Sequence, residues 1–185
     1  MNLTKADLAL DIEENIGYPT ALSKDTADIL VTIFKKAIFN KQLIYIPKHM
    51  KIGSSIKSER PGRNPKTGKD HMIAARHSIR ATTNTFTMDD KLTKSDFIEE
   101  LTVSGYLFKE ATILVETFYK FIGKIRNGEN RIEIRGLGTF RSELRKANDN
   151  ARNPKTGAVV VKEAYYQPMF KCSDSLRKAM DKEYL

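Results

Sequence analysis

The sequence predicts an α+β protein built from two tandem copies of one unit of about 89 residues. The six residues Arg63–Gly68 recur unchanged as Arg152–Gly157, and Leu3–Asp7 has a close counterpart at the same offset in Leu92–Asp96. Two matches at one spacing indicate an internal duplication. Within each copy, apolar residues follow helical spacing first and strand-like alternation afterwards, which predicts helices followed by a β-sheet.

The first half of each unit predicts two helices, with unit one placed at residues 1–87 and unit two at residues 88–185. Thr4 and Thr93 are good N-caps for the first helix of each unit. Each threonine is followed three residues later by an aspartate that can complete a capping box.

The second helix of each unit is predicted by a longer apolar stripe. Ser23 is the expected N-cap in unit one, and Asn127-Gly128 is the expected end of the helix in unit two. The predicted core residues of these stripes are Ile29, Leu30, Ile33, Phe34, Ala37 and Ile38 in unit one and Ala111, Leu114, Val115, Phe118, Phe121, Ile122 and Ile125 in unit two.

The second half of each unit predicts strands that continue into a projecting β-ribbon, which we call the arm. Arg131–Arg135 alternates strictly between polar and apolar residues, and Leu43–Ile46 is its counterpart. Gly136–Phe140 predicts a tight turn into a second strand. The flanks Ser54–Arg60 and Arg141–Lys146 are too polar for core strands and suit a ribbon exposed to solvent.

The charge is distributed unevenly within each unit. Residues 3–40 hold four basic and six acidic side chains, whereas residues 41–81 hold ten basic and two acidic ones. Unit two repeats the contrast, with six basic against eight acidic residues in 89–130 and nine against four in 131–171. The chain carries a net charge of +9, and its strand-forming halves are the basic ones. This pattern predicts an anionic partner.

The composition argues against several other classes of protein. Cys172 is the single cysteine, so no intramolecular disulfide can form and a cytoplasmic location is the simplest setting. The sequence shows neither an apolar run that could span a membrane nor the apolar stretch of a signal peptide at its start. His49, His71 and His77 are dispersed, without a recognisable nucleophile or carboxylate partner. We therefore expect no catalytic site, no metal and no cofactor.

The repeated arm tip suggests how the anionic partner is held. A basic two-stranded ribbon fits a groove of duplex DNA, and its cations neutralise phosphates. Pro65 and Pro154 could act as rigid apolar wedges that enter between base steps from the minor groove, with Arg63 and Arg152 beside them in that groove. The alternative is that the prolines only shape the Asn-Pro-x-x-Gly turn. The repetition of the motif in a basic ribbon favours the wedge.

Unit two carries motifs of a known family. Leu92–Phe97 is similar to the opening helix of that family, Gly136–Phe140 to its Gly-Phe-Gly-x-Phe turn, Arg152–Gly157 to its arm tip and Pro168–Lys171 to its Pro-x-Phe-Lys segment. Each unit thus resembles the bacterial histone-like HU/integration host factor family of DNA-bending proteins. The resemblance covers almost the whole chain.

The resemblance implies two interlocked units whose arms embrace double-stranded DNA, here as a single-chain pseudo-dimer or as a homodimer associated with the nucleoid. By motif match, intercalation falls on Pro65 and Pro154. The predicted DNA-binding residues are Arg60, Arg63, Asn64, Lys66, Lys69, Arg76 and His77 in unit one and Arg145, Lys146, Arg152, Asn153, Lys155, Lys162 and Lys171 in unit two.

Unit one departs from the family pattern in its body. Pro47–Met50 stands at the place of the glycine turn, and Ile79–Thr82 at the place of Pro-x-Phe-Lys. Unit two is predicted to end in a short closing helix capped by Ser173 or Asp174, whereas unit one has the polar linker Thr82–Thr87 at that place. These differences predict an asymmetric pseudo-dimer and leave the packing of the unit-one body open.

Two other functions remain as alternatives. The chain could be a protein-interaction module that keeps the fold and uses its arms on another partner, although the basic arm region and intact tips argue against this. It could also bind RNA or a membrane surface. A bending wedge is less useful on A-form RNA, and the predicted helices are too acidic for a membrane surface.

Overall fold

The computed structural model of the chain describes residues 1–82, 90–153 and 155–184. The helices are α1 (Lys5–Ile16), α2 (Thr20–Phe39), α3 (Lys94–Val103), α4 (Phe108–Gly123) and α5 (Asp174–Tyr184). The strands are β1 (Asn2–Leu3), β2 (Leu43–Ile46), β3 (Met50–Lys57), β4 (Arg60–Arg63), β5 (Asp70–Ile73), β6 (Arg76–Thr82), β7 (Lys91–Leu92), β8 (Arg131–Ile134), β9 (Gly138–Arg145), β10 (Asn148–Arg152), β11 (Val159–Lys162) and β12 (Tyr165–Cys172).

One eight-stranded sheet joins the two units, in the order β1-β8-β9-β12-β6-β3-β2-β7. Each unit contributes a three-stranded antiparallel meander, and the meanders meet where Lys171 of β12 pairs with Arg80 of β6. The edges are exchanged, because β1 of unit one pairs with β8 and β7 of unit two pairs with β2. The predicted fold class, two tandem α+β units combined as an intramolecular pseudo-dimer, is confirmed.

The edge exchange is reciprocal at the level of single hydrogen bonds. The Arg131 N–H donates to the Met1 carbonyl at 2.9 Å, and the Leu43 N–H donates to the Asp90 carbonyl at 3.0 Å. Arg131 and Leu43 each begin the first strand of their own meander. Each unit therefore completes the sheet of the other.

The hydrophobic core is also shared between the units. The Phe34 ring of α2 meets the rings of Phe118 in α4 and Phe140 in β9 edge-on, with centroids 5.5 and 6.1 Å apart. Phe97 packs against Phe118 in the same way at 5.7 Å. All four rings are fully buried. Because fully burying one such side chain stabilises a fold by about 1.5–3 kcal/mol, this cluster ties the two units into one body.

The unit-one turn Pro47–Met50 keeps the backbone geometry of the unit-two turn despite its different sequence. The His49 N–H donates to the Ile46 carbonyl at 3.1 Å, as the Leu137 N–H does to the Ile134 carbonyl at 3.1 Å. The strands on either side of the two turns pair in the same register. The body of unit one therefore retains the packing that its sequence left in doubt.

The closing helix of unit two covers unit one. Helix α5 packs against β6 and α2, which both belong to unit one. Leu176 and Met180 of α5 are buried in the common core. Helix α5 of unit two thus packs on strand β6 of unit one. In the sequence of unit one, β6 is followed by the predicted linker and not by a helix of its own. That linker and the predicted unit boundary lie mostly in residues 83–89, outside the described residues.

The predicted N-caps of the first helices are confirmed. Thr4 and Thr93 both form capping boxes with the aspartate three residues on. The Thr4 N–H donates to Asp7 Oδ2 at 2.6 Å, and the Thr93 N–H donates to Asp96 Oδ2 at 2.7 Å.

Two predicted boundaries of the second helices are wrong. Helix α2 begins at Thr20, because Pro19 ahead of it already has a φ of −56° that suits a helix start, and Ser23 lies buried inside the helix. Helix α4 ends at Gly123 and not at Asn127-Gly128. Glycine is a weak helix former, and consecutive turns then carry the chain to β8.

Candidate nucleic-acid interface

Two β-ribbon arms extend from the common sheet. Strands β4 and β5 form the arm of unit one, and strands β10 and β11 form the arm of unit two, each as a separate two-stranded sheet. Residues 58–59 and 74–75 separate the first arm from the body, and residues 146–147 and 163–164 separate the second. Since a lone ribbon is marginally stable in water, we expect each arm to gain order when it meets a partner.

The tips of the two arms have the same backbone geometry. The Gly68 N–H donates to the Asn64 carbonyl at 2.8 Å, and the Gly157 N–H donates to the Asn153 carbonyl at 2.8 Å. The φ angles of Gly68 and Gly157 are 69° and 70°, in the left-handed region that glycine adopts without strain. The described residues of the repeated sequence motif thus share these structural features.

Asparagine side chains hold the tips from inside. Asn64 Oδ1 accepts the Lys66 N–H at 2.9 Å, and Asn153 Oδ1 accepts the Lys155 N–H at 2.9 Å. In unit one, Arg63 Nε also donates to the carbonyl of the tip glycine at 2.8 Å. These bonds fix the turn around the proline in the manner of an Asx turn.

Pro65 is exposed at the tip of the unit-one arm. Its equivalent, Pro154, lies outside the described residues. The hydrogen bonds of the tip asparagines and glycines on either side of the two proline positions match.

Most of the other predicted DNA-binding residues are accessible. Asn153 is half-buried, and the exposed ones are Arg60, Arg63, Asn64, Lys66, Lys69, Arg76, Arg145, Lys146, Arg152, Lys155, Lys162 and Lys171. Arg76, Arg145 and Lys171 belong to strands of the common sheet, whereas the others lie on the arms or at their junctions with it. Contact of these residues with DNA stays a prediction.

His77 is the exception among the predicted residues. Its side chain is buried, with 1% of the residue exposed, and its Nδ1 lies 2.9 Å from Asp181 Oδ1. The prediction that His77 contacts DNA is therefore wrong, because a phosphate cannot reach it. The alternation of β6 explains the error: Arg76 and Arg80 point outward, so His77 points to the core.

The sheet itself carries cations, several of which the motif comparison missed. Its surface away from the helices, which we call the outward face, carries side chains at every second position of each strand. The basic residues on this face are Lys51, Lys57, Arg76 and Arg80 from unit one and Arg131, Arg141, Arg145 and Lys171 from unit two. Strict alternation in β3, β6, β8 and β9 would have identified the five that were missed, which are Lys51, Lys57, Arg80, Arg131 and Arg141.

The outward face is concave over unit two. A depression of about 1010 Å³ opens there, and its lining includes Arg131, Arg141, Lys171 and Glu133. Within the described part of the chain, no three His, Cys, Asp or Glu side chains converge as metal ligands would. The same residues include no helix that is long and apolar enough to cross a membrane.

Two interlocked α+β units with basic ribbon arms define a scaffold suited to a nucleic acid, and comparison with known proteins assigns its family. The family described as "Bacterial DNA-binding protein" matches the chain twice, at residues 3–87 and 92–181. The chain therefore belongs to this family of DNA-binding proteins, the HU/integration host factor family, and carries its unit in two tandem copies.

Two integration host factor subunits agree with this assignment. The chain is 39% identical over 79 residues to the integration host factor subunit alpha of Vibrio vulnificus strain YJ016, a match that spans 43% of this chain and 83% of the relative. The same subunit of Aliivibrio fischeri strain MJ11 is 38% identical over 79 residues, spanning 43% of this chain and 81% of the relative. Among solved structures, an Anabaena HU–DNA cocrystal structure matches 48% of this chain and 96% of its own, with 22% identity and a TM-score of 0.41.

Proposed function

We propose that this chain is a non-enzymatic architectural protein that binds double-stranded DNA and bends it. In this proposal residues 1–87 and 88–185 act as the two halves of one binding unit, so that a single chain holds one duplex. The outward face supports the duplex, the arms follow its minor groove, and Pro65 and Pro154 enter between base steps. Its place of action would be the nucleoid.

The observation that carries the proposal is the duplicated arm tip. The two tips have matching hydrogen bonds and matching glycine conformations, and their sequences carry a proline and an arginine at equivalent positions. A proline has no N–H to desolvate, so inserting its ring between bases leaves no donor unpaired. A turn that served only to reverse the chain would not need a basic ribbon on both sides of it.

The cations of the interface explain why such binding would tolerate many sequences. Lysine and arginine side chains that meet phosphates release counterions, which favours binding to any duplex and makes affinity fall with salt. The minor groove also presents a degenerate pattern of base edges. We therefore expect a broad preference for duplex DNA that follows its deformability and not a base-specific code.

The test is resonance energy transfer across a short duplex labelled at both ends, titrated with protein at low and moderate salt. Bending raises the transfer efficiency, and light scattering on the same samples gives the mass of the complex. We expect saturation at one chain per duplex. Saturation at two chains would instead indicate a homodimer on the DNA.

Proline variants separate bending from binding. We expect Pro65→Ala with Pro154→Ala to reduce the change in transfer efficiency much more than the affinity, because the wedge is removed and the cations remain. Pro61→Ala is the matched control, since Pro61 lies in the same arm on β4 and pairs with Met72 away from the tip. Undiminished bending by the double variant would reject intercalation, and an absence of salt-sensitive DNA binding would favour a protein-interaction role.

A further inference from the structure

The two halves of the outward face differ in their acidic residues. Strands β2, β3 and β6 of unit one contain no aspartate or glutamate, whereas β8 and β9 of unit two contain Glu133 and Glu143. Each half has four basic side chains on this face. The unit-one half is thus more positive by two charges.

The cations of the unit-one half are close to one another and lack acidic partners. Lys57 of β3 lies directly opposite Arg76 of β6 in the strand register. The Nζ atom of Lys51 lies 5.8 Å from the centroid of the Tyr45 ring. Arg80 Nε donates to the Ser78 hydroxyl at 2.8 Å. Among the described residues, no carboxylate lies within ion-pair distance of these four cations.

Repulsion between these cations affects the protonation of Lys57. The pKa of Lys57 is held below its ordinary value, first by the charge of Arg80, then by partial desolvation and by two further arginines at the base of the arm. Positive charges that face each other without a counter-ion destabilise the free protein and favour a bound anion. A phosphate backbone supplies such charges at regular spacing.

The arginines of the unit-two half already have partners. Arg131 lies 3.1 Å from Glu133, and Arg141 lies 2.6 Å from Glu143. Arg145 approaches Glu143 from its other side at 3.6 Å. A phosphate that meets these arginines also meets two carboxylates, which oppose it. These carboxylates therefore weaken the attraction for a phosphate at the concavity over unit two, whose lining holds five basic and two acidic side chains.

We propose that the unit-one half is the principal phosphate-binding platform of the body and that the unit-two half is a weak one. A single chain would then hold the two flanks of a bent duplex unequally. On a duplex whose flanks differ in charge, the chain would take one preferred orientation, with unit one on the more anionic flank. This inference rests on the proposed function, since it assigns unequal shares of that DNA contact to the two units.

Two matched double variants test the inequality. Lys51→Gln with Arg80→Gln removes two charges from the unit-one half, and Arg131→Gln with Arg141→Gln removes two from the unit-two half. Both lower the net charge by the same amount, so long-range attraction is matched. We expect the unit-one pair to reduce the slope of log affinity against log salt by about 1.8, the value for two lost phosphate contacts, and the unit-two pair to leave the slope nearly unchanged.

A variant with more positive charge should bind DNA more tightly, a result that misfolding could not produce. Glu133→Gln with Glu143→Gln frees the arginines of unit two, and we expect it to raise both affinity and salt slope.

Duplexes with uncharged methylphosphonate linkages test the orientation. Neutralising one flank should cost wild-type protein much less than half of the loss in log affinity seen when both flanks are neutralised, because the weak half can lie on the neutral flank.

The outcomes distinguish this inference from the proposed function. Two results would overturn the inequality while salt-sensitive binding leaves the proposed function standing. The salt slope could fall equally in the lysine–arginine and the arginine–arginine variants, or neutralising one flank could remove half of the log affinity that is lost when both flanks are neutral. An absence of salt-sensitive DNA binding by the wild-type chain overturns the proposed function, and the inference with it.

Discussion

His77 Nδ1 lies 2.9 Å from Asp181 Oδ1, and the same carboxylate oxygen accepts the His77 backbone N–H at 2.7 Å. This contact joins the base of the unit-one arm to the last helix of unit two. Because an ionised carboxylate can only accept hydrogen bonds, the His77 ring must donate from Nδ1 here. Arg177 supports the carboxylate from within α5 at 3.1 Å. The closing helix is therefore held to unit one by polar bonds as well as by its apolar face.

We expect Asp181→Ala to destabilise the folded chain by about 1–3 kcal/mol, because it leaves the buried donors of His77 without an acceptor. Chemical denaturation followed by circular dichroism would measure this loss. Asp149→Ala, on the exposed arm strand β10, is the control and should change the free energy of unfolding very little. Equal stability of the two variants would show that the contact to His77 contributes nothing.

The pKa of Asp181 predicts how the stability of the folded chain depends on pH. Burial opposes its ionisation, but the hydrogen bonds from His77 and the charge of Arg177 outweigh burial and lower its pKa below the ordinary 3.8. A carboxylate with a lowered folded-state pKa contributes stability above its unfolded pKa, and this contribution is lost as the pH falls through the folded pKa. The stability difference between wild type and Asp181→Asn should therefore shrink below about pH 4. A difference that stays constant down to pH 2 would contradict the lowered pKa.

Lys48 and Gly136 occupy equivalent turn positions with similar left-handed conformations, φ 65° and φ 76°. A residue with a Cβ pays about 1–2 kcal/mol for this conformation, and glycine costs about 0.5–1 kcal/mol in chain entropy. We expect Lys48→Gly to raise the free energy of unfolding by about 0.5 kcal/mol, as the difference of these terms. The measurement is denaturation in urea with a fixed unfolding slope.

Gly136→Ala is the reciprocal change. A Cβ at Gly136 would find only Lys35 Nζ nearby, at 3.5 Å, so the change probes conformation and not packing. By the same difference of terms, we expect a loss of about 0.5 kcal/mol. If both variants moved stability in the same direction, the turn would be governed by something other than its backbone conformation.

The turn around Lys48 also shows where sequence reasoning reaches its limit. The repeat predicted the duplicated arms, the capping boxes and the order of helices and strands, since these depend on local patterns. The unit-one body looked doubtful because Pro47–Met50 lacks glycine. Strand pairing on both sides of the turn and packing against unit two hold Lys48 in its unfavourable conformation, and no local pattern reports such tertiary support.

Two features of His77 were not predicted from the sequence, namely its burial and its contact with Asp181 of α5. The outward direction of Arg76 and Arg80 was available from alternation, and it would have placed His77 inside. The contact partner of His77 was not available, because Asp181 is distant in the sequence and reaches β6 only after the units interlock. Motif comparison identified the arms but missed five of the eight cations on the outward face, since single lysines and arginines on body strands form no motif.

Arg63 combines a structural bond with a predicted phosphate contact. Its Nε donates to the Gly68 carbonyl at 2.8 Å, and we expect the remaining guanidinium nitrogens to meet DNA. We expect Arg63→Ala to lower the salt slope by about 0.9 and Arg63→Lys to keep the slope while weakening affinity, since lysine keeps the charge and cannot reproduce the planar guanidinium geometry. Arg152→Ala should lower the slope as Arg63→Ala does. An unchanged slope in Arg63→Ala would show that this arginine only shapes the tip.

Cys172 offers a probe of the junction between the sheet and α5. Burial, reinforced by the charge of Asp174 and opposed by Arg177, raises the pKa of its thiol to about 11. Only the thiolate is reactive, so at pH 8 alkylation of the native chain should be about a hundredfold slower than that of an ordinary thiol with a pKa near 8.5.

Mass spectrometry after timed exposure to iodoacetamide would measure the rate, with the same chain in concentrated urea as the control. The rate in the native state should rise as the pH approaches the thiol pKa, whereas the unfolded chain should react fully at pH 8. Fast labelling of the native chain at pH 8 would mean that the sheet opens at β12 far more often than its pairing with β9 and β6 implies.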